Sequence, residues 1–300
     1  MNKYIKKILN KKNKSKIICL TAYSKNIASV VDRCSDIVLV GDSLGSVLYS
    51  YSTTRKVTLE NMINHSKSVR LGVKKSLMVV DMPYNTYDTS SLALRNARKI
   101  IKETKCDAVK LEGGKKIIKQ VNFLIKNKIP VMGHLGILPQ TTKGKFRSKG
   151  KNSKEKKELI NDAFLLEKSG VFAIVLECVK SSTAKQITHE LRIPTIGIGS
   201  SVHCDGQVLV TDDLIGLNNT KIRFVKKFIN IQKYLNLGLR KFVSEVKSKK
   251  YPSKKYSYYT SAVTAAYMEQ LSHSSRPPIT SCIATIKMNP NPIYAIHKCF

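Results

Sequence analysis

Six polar residues stand where short apolar runs stop. Ile37–Val40 ends at Gly41 and gives way to Asp42 and Ser43, Leu77–Val80 ends at Asp81, and Ala108–Leu111 ends at Glu112. Val131–Met132 is followed closely by His134, and Ala173–Leu176 ends at Glu177. Lys110, two residues before Glu112, shares its side of a strand by the alternation of side chains in extended chain. If the runs are parallel strands, their carboxyl ends open on one mouth, where barrels and open α/β sheets build their sites. Four carboxylates gathered there could not all stay ionised without a cation, because like charges at close range raise one another's pKa. A hard divalent metal held by oxygen ligands, with places left for water, resolves the conflict and suits Mg²⁺ better than Zn²⁺. No His/Cys set with zinc spacing competes.

Each residue also has a plainer reading. Asp42 and Asp81 could be N-caps of following helices, a position that favours Asp. Glu112 before Gly113–Gly114 could end a turn, and His134 could be a hydrogen-bonded packing residue. Glu177 closes an otherwise apolar run, where a buried carboxylate without a partner is costly. It needs a partner or a task.

The elements that must position these residues alternate between strand-like and helical runs. Ile17–Leu20 is the first strand, leading to Thr21, Ala22 and Tyr23, and a helix then reaches the 37–40 run. Thr58 can cap a helix whose Leu59, Met62, Ile63, Ser66 and Val69 share a face. Ala93, Ala97, Ile100 and Ile101 mark another, and Ile117, Ile118, Val121, Leu124 and Ile125 a third. After a basic loop at 141–157, Leu159, Ile160, Ala163 and Leu166 resume helix. Thr195–Ile198 is a seventh strand, ending at Gly199. A parallel crossover of a dozen residues or more then predicts helix over 205–214, an eighth strand at 223–225 and a last helix over about 228–248. Eight βα units predict a closed (β/α)8 TIM barrel, with an open doubly wound sheet as the alternative.

Composition excludes several classes. The hydrophobic fraction of 42% supports a sizeable core. No stretch approaches the roughly 18 apolar residues of a membrane helix. Seven cysteines with no CxxC pair fit reduced thiols in a cytoplasmic setting. Lys and Arg number 53 against 20 Asp and Glu, a formal charge of +33. That balance permits a nucleic-acid-binding reading, but the lysines are spread along the whole body without a recognition motif. A solvated Lys-rich surface, with weak attraction for anionic substrates, is the plainer account. The opening residues 1–15 lack a secretory apolar core and read as a basic helix at the barrel's edge. Beyond the barrel at 16–258, residues 259–300 carry only +2 of the charge. They are rich in Pro and read as an irregular tail with at most one helix, at about 262–271.

VLVGDSLG, VTLENMINH, VVDMPYNTY, VKLEGG, PVMGHLGILPQ, VLECV, IPTIGIG and DGQVLV follow one another in the order and approximate spacing of the ketopantoate hydroxymethyltransferase family, which the chain resembles over about 15–258. The resemblance implies a barrel of the phosphoenolpyruvate/pyruvate-binding type, a cytoplasmic homo-oligomer, typically a decamer, acting in pantothenate and coenzyme A synthesis. It implies small-molecule substrates, 3-methyl-2-oxobutanoate and 5,10-methylenetetrahydrofolate, with Mg²⁺ as cofactor and the folate as cosubstrate. By the same resemblance Asp42, Asp81 and Glu112 match metal ligands. Asp42, Ser43, Asp81, Lys110 and His134 match substrate contacts, and Glu177 matches the catalytic proton acceptor. No membrane and no nucleic-acid partner is implied. Departures are Ser24 where the family has Asp after Thr-Ala-Tyr, Lys56 for a Pro, Ser200–Ser201 for Ala-Gly, and a shorter, more basic loop after Gln140. None removes a proposed ligand or base. The runner-up among enzymes is a carbon–carbon lyase or mutase of the same barrel superfamily, and a folded but inactive relic is a further alternative.

Overall fold

Seven of the eight apolar runs become strands of a closed parallel barrel. The computed structural model of the protein describes residues 2–142, 147–218, 222–258 and 269. The strands are β1 (Ile17–Thr21), β2 (Ile37–Val40), β3 (Leu77–Asp81), β4 (Ala108–Glu112), β5 (Val131–Gly136), β6 (Ala173–Glu177), β7 (Thr195–Ile198) and β8 (Gly206–Leu209). They pair in sequence order, and β8 closes on β1. Around them lie α1 (Lys3–Leu9), α2 (Lys25–Val31), α3 (Leu44–Tyr49), α4 (Leu59–Gly72), α5 (Ser90–Thr104), α6 (Ile118–Lys126), α7 (Ser153–Ser169), α8 (Ser181–Glu190) and the short α9 (Thr211–Leu214). Thr58 closes a capping box on α4 with Asn61, and Met62, Ile63, Ser66 and Val69 are buried as the sequence predicts.

Alternate side chains on each strand serve two cores. Ile37, Leu39, Leu77, Val79, Ala108, Met132, Ala173 and Val175 pack together inside the barrel. Val38, Val40, Met78, Val80, Val109, Leu111, Ile174 and Leu176 belong to a second cluster shared with the helices. Burial on both faces is why the runs read as continuously apolar. Continued upward by the same period, the inner column reaches Asp81 on β3, Lys110 and Glu112 on β4, His134 on β5 and Glu177 on β6. The registers set Asp81 opposite Lys110 and Glu112 opposite His134. The polar residues are thus the top layer of the barrel interior.

The floor of the barrel is sealed by α1. Ile5 and Ile8 are buried in the interior cluster with Ile17, Ile37 and Leu77. Asn2 Nδ2 donates to Asp107 Oδ1 (2.8 Å), Lys11 Nζ to Asp36 Oδ2 (2.7 Å) and Lys12 Nζ to Asp205 Oδ2 (2.8 Å). These three aspartates directly precede β4, β2 and β8, and each also accepts a backbone N–H at the start of a neighbouring strand, from Met78, Ile18 and Thr195. The N-terminal helix therefore lies under the barrel, because its apolar face needs burial, and Lys11 and Lys12 just after it meet acids there.

The eighth strand differs from the reading above: it is Gly206–Leu209, not 223–225, and residues 205–214 are not one helix. Only seven residues separate β7 from β8. A strand of four residues is about 13 Å long and a seven-residue link reaches about 23 Å, so no crossover helix is needed to return to the barrel floor. Gly206 makes the close approach possible, since a Cβ there would stand 2.5 Å from the Ile17 carbonyl oxygen.

Contacts divide the chain into residues 1–235 and 236–300. Helix α10 (Ile231–Lys247) runs from the end of the first unit into the second and buries none of its residues. In the second unit Tyr251 lies near Phe242 and Tyr256, with ring centroids 5.4 and 6.2 Å away. The helix expected at 262–271 lies outside the described residues, as does the rest of 259–300 apart from Glu269. No helix among the described residues is long and apolar enough to cross a membrane.

Candidate active site

A cavity of about 820 Å³ opens at the carboxyl ends of the strands, with Asp42, Asp81, Lys110, Glu112, His134 and Glu177 among its walls. Ser43 also lines it. All the residues singled out by type and spacing therefore reach one space. The side chains of Lys110, Asp81, His134 and Glu112 are each at most 5% exposed, and that of Glu177 is 19% exposed.

Lys110 Nζ lies 3.2 Å from Asp81 Oδ1 and 3.2 Å from His134 Nδ1. Asp81 Oδ2 accepts the Asp42 backbone N–H at 3.1 Å. His134 stands between two acids, with Nδ1 3.4 Å from Glu112 Oε1 and Nε2 3.2 Å from Glu177 Oε2. The partner that Glu177 requires is thus His134. Gly136 fixes the height of Glu177: Ile137 N–H donates to the Glu177 carbonyl (2.9 Å). The strands close so tightly there that a Cβ on Gly136, at φ +102°, would be 2.1 Å from that oxygen.

The electrostatics follow from burial and crowding. Asp42 is pushed well above the usual carboxylate range by burial, then by the charges of Glu112 and Asp81. Asp81 is also raised, burial outweighing the Lys110 ammonium. Burial opposes ionisation of Glu112 too, but the close contact and charge of His134 hold its pKa below the ordinary value. For His134, burial and Lys110 favour the neutral ring, yet the close carboxylates of Glu112 and Glu177 win and lift it to about 9. Burial works against the Lys110 ammonium as well, and the charges of Asp81, Glu112 and Asp42 more than compensate.

The acid set suits a hard cation in part. Asp81 Oδ1 is buried without a hydrogen bond, its Lys110 contact being an ion pair lacking hydrogen-bond alignment. Asp42 is crowded by like charge. Two such carboxylates match Mg²⁺, which takes one or two protein carboxylates and keeps waters or substrate oxygens for the rest. Both Glu112 oxygens already face donors, Gln140 N–H at 3.0 Å and His134. Among the described residues no group of three or more His, Cys, Asp and Glu side chains forms a ready-made metal cage. The plainer role as helix caps does not hold for Asp42 or Asp81: Ser43 precedes α3, and Thr89 caps α5.

Three supporting residues were not foreseen. Tyr23 OH shares a 2.8 Å hydrogen bond with Ser43 Oγ, and Tyr23 is itself fixed where His65 Nδ1 meets its carbonyl oxygen (2.8 Å). Gln140 reaches Asp42, and Tyr87 reaches Gln140. Tyr23 and Gln140 stand inside apolar or loop motifs, and nothing local distinguishes them from packing residues.

The profile of the family described as ketopantoate hydroxymethyltransferase matches residues 2–254. The chain belongs to this family. It is 66% identical over 258 residues to the 3-methyl-2-oxobutanoate hydroxymethyltransferase of Pelagibacter ubique (strain HTCC1062), covering 86% of this chain and 100% of that protein. The Rhizobium etli protein of the same name is 46% identical, covering 81% of this chain and 90% of its own. Among solved structures a phosphonopyruvate hydrolase overlays with TM-score 0.58 at 7% identity, covering 91% of this chain and 96% of its own. A 2,3-dimethylmalate lyase of the PEP mutase/isocitrate lyase superfamily overlays with TM-score 0.54 at 11% identity, covering 91% and 95%. These two likenesses bear on the barrel fold alone, and the family membership rests on the sequence relatives.

Proposed function

We propose that this chain transfers a hydroxymethyl group from 5,10-methylenetetrahydrofolate to 3-methyl-2-oxobutanoate, giving 2-dehydropantoate and tetrahydrofolate. The observation that carries the reading is the buried layer in which Asp42, Asp81, Glu112, Lys110 and His134 adjoin Glu177 in one cavity, in a chain 66% identical to a relative of that name. Asp42 and Asp81 would hold Mg²⁺, with Glu112 the third carboxylate of the set. Bound there, the cation supplies Lewis-acid polarisation of the 2-oxo group, which acidifies the C3 proton.

The chain's own residues do the rest. The Lys110 ammonium and the Ser43 hydroxyl, the latter held by Tyr23, bind the carboxylate of the oxo acid. Glu177, at the half-open rim, accepts the C3 proton. His134, held as a cation between Glu112 and Glu177, fixes the Glu177 carboxylate and balances its charge. The C3 carbanion equivalent then forms a carbon–carbon bond to the folate methylene. Water supplies the hydroxyl oxygen, and the folate nitrogens leave carrying protons. The cavity of about 820 Å³ is near the upper part of the usual range for ligand sites and exceeds the needs of a five-carbon acid, leaving space for part of the folate.

The 1–15, 16–258 and 259–300 division, a cytoplasmic setting and a homo-oligomer, decameric as in the family, belong to the same reading. Exposed Leu237, Leu239 and Phe242 on α10 favour association of subunits. Purified protein given both substrates and Mg²⁺ should form 2-dehydropantoate and tetrahydrofolate in equal amounts. Cleavage of a 2,3-dialkylmalate without any folate-dependent product would replace this reading with the lyase one.

A further inference from the structure

We infer that Gln140 is the positioning residue of the acid layer: its side-chain amide aims Asp42 and its backbone N–H aims Glu112, so that a divalent cation meets a preset pair of carboxylates. The inference rests on the reading of Asp42 and Asp81 as Mg²⁺ ligands and adds a residue that this reading leaves without a task. Gln140 is 1% exposed, although it opens a polar loop. Its amide has a single workable orientation. Tyr87 OH donates to Oε1 at 2.5 Å, while Nε2 gives its protons to Asp42 Oδ2 (2.8 Å) and the Met82 carbonyl oxygen (3.0 Å). Turned over, the amide would set its oxygen against two acceptors, the Asp42 carboxylate and the Met82 carbonyl.

Two consequences follow for the acids. Asp42 Oδ2 is committed to Gln140, so Oδ1 is the oxygen left to face a cation. Glu112 Oε2 is committed to the Gln140 backbone N–H at 3.0 Å, which keeps Oε1 towards His134. One residue therefore orients two carboxylates that stand at the ends of different strands, Asp42 just after β2 and Glu112 at the end of β4. The backbone of Gln140 is pinned in turn. Arg55 Nε donates to its carbonyl oxygen at 2.8 Å and Arg55 Nη2 to that of Thr142 at 3.3 Å, with the guanidinium 5.5 Å from the centre of the Tyr84 ring. Asp42 is thereby linked to Arg55 on the segment after α3 through a single buried side chain. Outer-shell donors of this kind raise metal affinity by fixing ligand orientation.

The test is Mn²⁺ affinity of the substrate-free protein, by calorimetry and by the electron paramagnetic resonance spectrum of the bound ion. Wild type is compared with Gln140→Met, Tyr87→Phe and Asp42→Asn. Gln140→Met keeps the length of the side chain and the backbone N–H but removes the donor. Affinity should fall about 10- to 100-fold, with a broadened spectrum of the remaining bound ion. Tyr87→Phe, which removes the donor to the amide oxygen and a 3.5 Å contact with the Glu112 carbonyl, loosens the amide without removing its own donors and should shift both in the same direction by less. If Gln140→Met does not fold, Tyr87→Phe decides: weaker binding supports the inference and unchanged binding overturns it. Unchanged affinity and spectrum in both variants, while Asp42→Asn abolishes binding and wild type turns over, would overturn the positioning role and leave the proposed function standing. Wild-type binding indifferent to Asp42→Asn would overturn the metal reading and this inference together.

Discussion

Replacing Lys110 with Met tests the electrostatic balance of the site before any catalysis is measured. The two side chains have similar length, so the change removes a charge and leaves little empty space. The ammonium lost is 3.2 Å from Asp81 Oδ1, in a layer that also holds Asp42, Glu112 and the imidazolium of His134. Breaking a buried ion pair from one side costs about 3–5 kcal/mol, because the other charge stays buried without compensation. In a domain of this size each kcal/mol lowers Tm by about 2–4 °C, so melting in EDTA should fall by about 6–20 °C. Mg²⁺ at a hundred times its dissociation constant stabilises by about 2.7 kcal/mol, enough to recover a large part of the loss. The deficit should narrow as pH falls, since Asp42, already raised by burial and by its acidic neighbours, then takes up a proton. The assay is thermal melting of wild type and variant with EDTA or Mg²⁺ at several pH values. Equal melting of the two proteins in EDTA, or no stabilisation of either by Mg²⁺, would refute the reasoning.

Further outcomes concern the scaffold. Ile8→Ala empties a site that is 1% exposed in the barrel floor. It should cost about 2–5 kcal/mol by denaturant unfolding and leave KM for the oxo acid unchanged, because the loss is at the opposite end from the cavity. Asp32 accepts N–H groups from Lys74, Lys75 and Ser76 at the entry to β3. Burial would raise its pKa, but these bonds hold it below the ordinary carboxylate value. Its stabilisation is therefore present above the unfolded-state pKa and lost as pH falls through the folded one. Asp32→Asn should lose about 1.5–3 kcal/mol at neutral pH, and the gap to wild type should close in acid, read from urea unfolding across pH.

Much of the fold was legible because the barrel buries both faces of each strand, so Ile37–Val40 or Ala173–Leu176 stand out as apolar runs with an acid at the end. The eighth strand was misplaced for a physical reason. A helical crossover is the rule for parallel neighbours, and here a bare seven-residue return with a close-packed Gly206 replaced it. The basic N-terminus read as a rim helix because its three acid partners, Asp36, Asp107 and Asp205, look in sequence like ordinary loop residues before strands. In the site, Asp42, Asp81, Glu112 and Glu177 could be found from strand ends alone, and Lys110 from alternation. Gln140 could not, since its importance lies in bonds to residues 98 and 28 positions away. Local pattern carries no trace of such pairings.

In the proposed reaction Glu177 takes the C3 proton of an oxo acid held over the acid layer. Exchange of that proton with deuterium, followed by nuclear magnetic resonance in 3-methyl-2-oxobutanoate with Mg²⁺ and no folate, reads that step alone. Wild type should exchange it, and Glu177→Gln should be slower by about 10²- to 10⁴-fold while still binding the acid. Exchange in Glu177→Gln at the wild-type rate would contradict the account.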